Sequence, residues 1–293
     1  MTGRLCILTP DPGDFAYDSR WRDVVERNAW PLRAAGMTVE QRSWTSAENL
    51  AGFDLVMPLL VWGYVRACET WIERIGAWER EGVRLQNPAS VLRWNADKSY
   101  LGVLEGKGAP VVPSVYPERV CLETMEQAAA AFGTDRLVAK PRISHSAWQT
   151  IRWSPGGGLE EGPEGPAIVQ PYLPAIETDG ELSLIFFGGE YSHAVRKLPQ
   201  PGDFRVQPEY DGIISACVPE EDEMEAARRI LGAIEEDLLY ARVDLSRGLD
   251  GRPVLIELEL IEPDLYLGYD EANGAGFAAA VGRCLAEGAL AVD

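Results

Sequence analysis

The stretch YARVDLSRGLDGRPVLIELELIEP, Tyr240–Pro263, decides the fold of this chain. It reads as two strands, Tyr240–Ser246 and Pro253–Ile261, joined through Asp250-Gly251, a dipeptide favoured in two-residue hairpin turns of type I′. Counting outward from that turn places Asp244 opposite Glu257 and Arg242 opposite Glu259. Side chains alternate along a strand, so Asp244, Glu257 and Glu259 share one face. Val243, Leu245, Ile256, Leu258 and Leu260 fill the other.

Like charges directly across a strand pair destabilise it by a few tenths to about 1 kcal/mol. Three converging carboxylates therefore ask for a cation. Hard oxygen donors with no His or Cys among them suit Mg²⁺ rather than zinc. A second reading stays open on the residues alone: a solvated strand face, neutralised in part by Arg242.

Working outward, the first 90 residues alternate strand and helix. Leu5–Leu8, Thr38–Arg42, Asp54–Val61 and Val83–Gln86 read as strands. Helices over Arg20–Ala35 and Arg66–Glu81 stop at Gly36 and Gly82. This order predicts an open α/β sheet with a largely parallel core. Asn87-Pro88 breaks the pattern, and Asn95 reads as the N-cap of a helix running to Gly106. Short strands follow at Val111–Val115, Leu137–Lys140, Thr150–Trp153 and Ile168–Tyr172, around one helix at Leu122–Phe132. Ser154–Pro166, rich in glycine, proline and acid, reads as a surface connection. Strands at Glu181–Phe187 and Glu190–Lys197, an acidic helix (Glu220–Asp237), the hairpin and a last helix (Glu271–Glu287) complete an α/β chain of three lobes.

Composition narrows the partners. Of 293 residues, 46% are apolar and 25% charged, and 27 Lys and Arg against 46 Asp and Glu give a net charge of −19. Nucleic acid and anionic membrane would be repelled by that field, while a local basic cluster could still bind a small anion. The N-terminus carries no signal-peptide pattern, and the longest near-apolar run, Leu55–Val65, is about half a membrane span. Five cysteines without C-x-x-C spacing fit a reducing cytoplasm. Oligomeric state is left open, a homo-oligomer included.

Against the negative background, Leu137–Arg152 holds three cations (Lys140, Arg142, Arg152) and no acid. A lysine ending an apolar strand, as Lys140 does, can aim a compact charge into a cleft, and Lys98 stands at the start of a helix. In Val169–Pro174 the two prolines leave the Pro171 carbonyl and the Leu173 N–H to read the edge of a planar base. Each feature alone also fits a surface lysine or a plain edge strand.

The parts occur in an order that resembles the ATP-grasp superfamily across nearly the whole chain. Asn87-Pro88-Ala89-Ser90 through Asn95-Ala96-Asp97-Lys98-Ser99-Tyr100-Leu101 is similar to the prokaryotic glutathione synthetase pattern, and so is LVAKP (Leu137–Pro141). IVQPYLPAI (Ile168–Ile176) with DGELSL (Asp179–Leu184) resembles the adenine hinge and ribose strand. RVDL (Arg242–Leu245) with IELELIEP (Ile256–Pro263) resembles the magnesium strands. Within that superfamily the chain resembles glutathione synthetase-like ligases and the ligase that forms D-cycloserine by closing a ring within one substrate.

The resemblance implies an N-terminal substrate domain over 1–91, a lid subdomain over 92–173 and a C-terminal subdomain with the metal site over 174–293. It implies that Lys98 and Lys140 contact the phosphates of ATP, with Lys140 also catalytic. Gln170, Pro171, Tyr172 and Leu173 would hold adenine, and Glu181 the ribose. Asp244, Glu257 and Glu259 would hold one or two Mg²⁺ ions, and Arg205 would stabilise the acyl phosphate and its tetrahedral successor. Asp11, Asp14, Tyr17, Asp18 and Arg20 fall where relatives bind an amino-acid-like substrate.

Two departures stand out: Gln170 replaces the usual hinge glutamate, and the loop Arg142–Thr150 lacks the usual glycines. Ser144 and Ser146 would there replace backbone contacts to phosphate. His145 and His193, the only histidines, are given no acid–base role.

The implied reaction is ATP-dependent carboxylate–amine ligation through an acyl phosphate. A small-molecule kinase on the same fold and a silent nucleotide-binding regulator are the alternatives.

Overall fold

Arg4–Thr9 forms β1, buried along all but its first residue because chain covers both of its faces. The computed structural model describes residues 3–13, 20–145, 148–159, 161–200 and 212–290. β2 (Thr38–Ser43) and β3 (Leu55–Met57) flank β1 in a parallel sheet of order β2-β1-β3. The helices α1 (Arg20–Ala34) and α2 (Cys68–Arg80) pack beside it. β3 is shorter than expected because Pro58 has no N–H for a ladder. The strand expected at 83–86 reduces to one parallel bridge, Leu85 to Val56.

The helix expected from Asn95 is instead two, α3 (Ala89–Asn95) and α4 (Tyr100–Gly106). Asn95 ends α3 and caps nothing. Its side chain is turned to the third sheet, donating to Leu258 O at 2.9 Å and accepting from Leu260 N at 3.0 Å.

The middle sheet is antiparallel, of order β5-β4-β6, with β4 at Leu137–Pro141, β5 at Ile151–Trp153 and β6 at Ala167–Pro171. α5 (Leu122–Phe132) covers it through Met125 and Ala128. A short α6 (Ala175–Thr178) leads into the third sheet.

That sheet has the order β11-β10-β7-β8-β9 and is antiparallel throughout. Its strands are β7 (Glu181–Phe187), β8 (Glu190–Leu198), β9 (Ile213–Cys217), β10 (Tyr240–Arg247) and β11 (Pro253–Glu259). β9 was not anticipated. α7 (Glu221–Leu231) and α4 cover one face, where Ala227, Ile230, Leu101 and Leu104 meet Leu184, Val243 and Leu258. α8 (Ala275–Leu290) joins the third sheet to the first: Phe277 lies 5.2 Å from Phe187 in a core that includes Leu5, Ile7 and Val25. Among the described residues no helix is long and apolar enough to cross a membrane.

The decisive hairpin keeps the expected pairs Asp244 with Glu257 and Arg242 with Glu259, but its turn differs. Gly251 N donates to Gly248 O and Gly248 N to Arg252 O, so three residues, not two, form the loop. Gly251, at φ +79°, takes the left-handed position that such a loop requires. A bulge after Asp244 absorbs the odd residue, pairing Leu245 with Leu255 and leaving Ile256 half-buried.

Candidate active site

The register of the third sheet gathers charge on one face. Glu181 on β7 pairs with Lys197 on β8, and Ser183 on β7 pairs with Asp244 on β10. Gly180 brings β7 close: a Cβ there would meet the Lys197 carbonyl at 2.4 Å, so only glycine fits. Lys197 contacts Glu181 and lies 3.8 Å from Asp244. Arg242 grips Asp244 at 2.9 Å and also contacts Glu259, while Ser183 Oγ donates to Asp244. Tyr266, held at φ +46°, lays its ring 5.6 Å from the Arg242 guanidinium and 6.0 Å from the Lys197 ammonium.

The titration behaviour follows from this packing. Burial pushes the Asp244 carboxyl up, but Arg242 and Lys197 outweigh it and hold it below the carboxylate range. Burial likewise acts on Glu257, where Lys98 and Lys140 win and the carboxyl falls. For Glu259 burial prevails over Arg242, helped by the charges of Asp244 and Glu257, and the carboxyl rises to about 8. Glu181 is raised by burial in spite of Lys197.

Lys98 and Lys140 enter from the opposite side. Lys98 Nζ lies 3.1 Å from Glu257 and donates to the Ser144 carbonyl at 2.6 Å. Lys140, at the end of β4, forms no ion pair among the described residues; burial chiefly, and the charge of Lys98, lower its pKa. The Ser144 hydroxyl turns inward to the Pro141 carbonyl at 3.0 Å. Gln170 is buried on β6, with its amide donating to Ser114 Oγ at 2.9 Å. Pro171 pairs with Leu137, Tyr172 N donates to Arg136 O, and the Tyr172 hydroxyl contacts Glu177. The Leu173 carbonyl accepts from Ile176 N.

Asp244, Glu257, Glu259, Glu181, Lys98 and Lys140 thus come together, while Gln170 and Pro171 end β6, the neighbour of β4, and Tyr172 and Leu173 follow it. Arg205, Ser146, Asp14, Tyr17 and Asp18 lie outside the described residues. Lys197 and Tyr266 were missed by sequence reasoning. Among the described residues no three carboxylates converge as a ready metal cage, because Arg242 stands between Asp244 and Glu259 and Lys98 holds Glu257. The donors are nonetheless all hard oxygens on adjacent strands, as Mg²⁺ requires.

The family described as D-cycloserine synthetase DcsG, N-terminal domain, matches residues 9–87. The cycloserine biosynthesis protein DcsG of Streptomyces lavendulae is 32% identical over 282 residues, covering 86% of this chain and 91% of that protein. This chain belongs to the DcsG family of ATP-grasp ligases. It is an enzyme that forms carbon–nitrogen bonds. The crystal structure of D-cycloserine synthetase DcsG superimposes with a TM-score of 0.82 at 26% identity, covering 97% of this chain and all of that one. The ATP-grasp ligase PsnB, complexed with a phosphomimetic variant of its minimal precursor, Mg and ADP, matches at TM-score 0.65 and 16% identity, covering 97% and 99% of the two chains. That second likeness concerns the fold of the ligase alone.

Proposed function

We propose that this ligase activates the carboxylate of a small amino-acid-like substrate with ATP, as an acyl phosphate, and transfers it to an amine. Kinship with DcsG favours an amine in the same molecule, so that a ring closes. The observation that carries the reading is the charged face itself. Glu181, Asp244, Glu257 and Glu259 alternate there with Lys197 and Arg242, opposite Lys98 and Lys140. Such a cleft, with ammonium groups for phosphate oxygens and carboxylates for their counter-ions, suits a polyanion.

In this reading Lys98 and Lys140 receive the nucleotide phosphates as point charges. Glu181 meets the ribose, and the strand end from Gln170 to Leu173 borders the adenine. Asp244, Glu257 and Glu259 would hold Mg²⁺, which when bound neutralises charge on the phosphate oxygens. Arg205, on the resemblance alone, meets the acyl oxygen. The protein contributes position and fixed charge. Cysteines that are all free agree with a reducing cytoplasm.

Isotope labelling tests the reaction. A carboxylate oxygen that attacks the γ-phosphate must leave with it once the amine displaces phosphate. Substrate labelled with ¹⁸O in the carboxylate should deliver one label into inorganic phosphate for each ADP formed. A stable phosphorylated product would establish a kinase, and label-free phosphate would mean hydrolysis by water; either result removes the ligation reading.

A further inference from the structure

Lys98 and Lys140 reach the cleft from different packing units. Lys98 precedes α4, whose Tyr100, Leu101 and Leu104 pack under the third sheet. Lys140 is the last residue but one of β4, whose Leu137 and Ala139 belong to the core of the middle sheet. Two ammonium groups brought to one cleft repel, so their spacing has to be imposed by something else.

Asp97 and Arg142 flank the two lysines, one residue before Lys98 and two after Lys140. They form a two-pronged ion pair, with Arg142 Nε donating to Asp97 Oδ1 at 2.9 Å and Nη2 to Oδ2 at 2.7 Å. The Lys98 N–H donates to the Arg142 carbonyl at 2.9 Å, and Lys98 Nζ to the Ser144 carbonyl. Asp97 Oδ1 also accepts from Ser99 N at 2.8 Å, tying the pair to the start of α4. The loop from Arg142 to Thr150 contains no glycine, so its backbone has little freedom to mould itself on a phosphate. A fixed frame then has to come from side chains.

We propose that the Asp97–Arg142 pair is a latch that joins the middle sheet to the α4 segment and sets the Lys98–Lys140 spacing for the nucleotide phosphates. It rests on the reading of those lysines as the phosphate subsite. Asp97 and Arg142 are positioning residues: they act through the lysines and touch no reacting atom. The planar fork matters, since a lysine at 142 would offer a point charge without the second prong.

ADP binding by calorimetry on the full chain tests this, with Arg142→Gln, Arg142→Lys, Asp97→Asn, the Asp97→Asn/Arg142→Gln double variant and Lys140→Met. Asp97→Asn keeps an acceptor for Ser99 N, which protects folding if the arginine variants prove unstable. Each single latch variant should weaken ADP about tenfold, as contacts within one ion-pair network do, and the double variant no further than either single one. Arg142→Lys should recover only part of the loss. At saturating ATP, kcat should fall as well, but by less than in Lys140→Met, because the latch variants displace the lysine without removing it. Wild-type ADP affinity in both single latch variants, with Lys140→Met impaired, would overturn the latch while leaving the phosphate subsite standing. Losses that multiply in the double variant would also overturn it, because the two residues would then act separately. Wild-type affinity in Lys140→Met would remove the phosphate reading itself, and the latch with it.

Discussion

Arg242 holds Asp244 from two residues earlier on the same strand, Nε donating at 3.0 Å and Nη2 at 2.9 Å. The carboxylate rows that the hairpin pattern presents as repulsive are therefore charge-compensated from within the sheet. Lys197 supplies a second cation to Asp244, and Lys98 supplies one to Glu257.

Asp244→Asn should consequently destabilise the protein as well as abolish ligation. The side chain is buried, and its loss of charge leaves Arg242 and Lys197 without their partner. Breaking a buried pair in this way costs about 3–5 kcal/mol. Urea denaturation of the two proteins measures it. Unchanged or higher stability would mean that repulsion among the carboxylates dominates after all.

The two lysines should separate kinetically. Lys140→Ala should weaken ADP binding and also lower kcat by about 10²–10³, the usual effect of removing one preorganised donor to a reacting oxyanion. Lys98→Ala should act more on the KM for ATP, because Lys98 is already engaged with Glu257 and the Ser144 carbonyl. Effects under about threefold for both in steady-state kinetics would mean that they serve the packing of the cleft and not the nucleotide.

How far the sequence carries the site depends on bulges. Asp250-Gly251 suggested a two-residue turn; the real loop is longer, and the bulge after Asp244 restores the pairing of the carboxylates. The Gly188-Gly189 turn between β7 and β8 has both residues at positive φ, as a two-residue turn needs. Counted from it, Glu181 would face Arg196. A bulge after Ile185 moves the partner to Lys197. That is why Lys197 escaped a reading built on strict alternation. Asn95 escaped for another reason: a cap and a tertiary clamp use the same amide, and only the position of β11 tells them apart.

Stability should also fall in mild acid through His193. Its Nε2 lies 3.0 Å from the Leu265 carbonyl, which can only accept, so Nε2 carries the proton and Nδ1 is left to accept from Ser192 Oγ at 2.9 Å. Burial holds the imidazole below its ordinary value, with the Asp270 charge opposing. The unfolded chain then takes up its proton as pH falls through about 6.5, while the folded one resists to lower pH. The contribution is complete above the unfolded value and is lost on acidification toward the folded one. Thermal midpoints from pH 7.5 to 5.5 should drop more steeply for wild type than for His193→Gln. Parallel curves would show that other groups carry the acid sensitivity.

Asn87, which the sequence marks as a break in pattern and as the start of a family-like stretch, has a structural part that neither reading gave it. It is fully buried beneath the strands that carry the carboxylates. Its oxygen accepts from Leu239 N at 2.8 Å, which fixes the orientation of the amide. Its nitrogen then donates to Tyr240 O at 3.0 Å and Leu260 O at 2.9 Å, stitching the start of β10 to the chain just beyond β11. Asn87→Ala leaves these backbone groups buried without a partner, at about 1–3 kcal/mol each, and a total near 3–5 kcal/mol is expected after some relaxation. Asn87→Asp is the sharper test. It keeps shape and the acceptor for Leu239, but it sets a carboxylate against two carbonyl oxygens where a donor is required. Its cost in denaturant titration should equal or exceed that of the alanine variant, although aspartate is the closer isostere. A well-tolerated aspartate would show that the two donated bonds contribute little, and that the carboxylate strands keep their place by apolar packing alone.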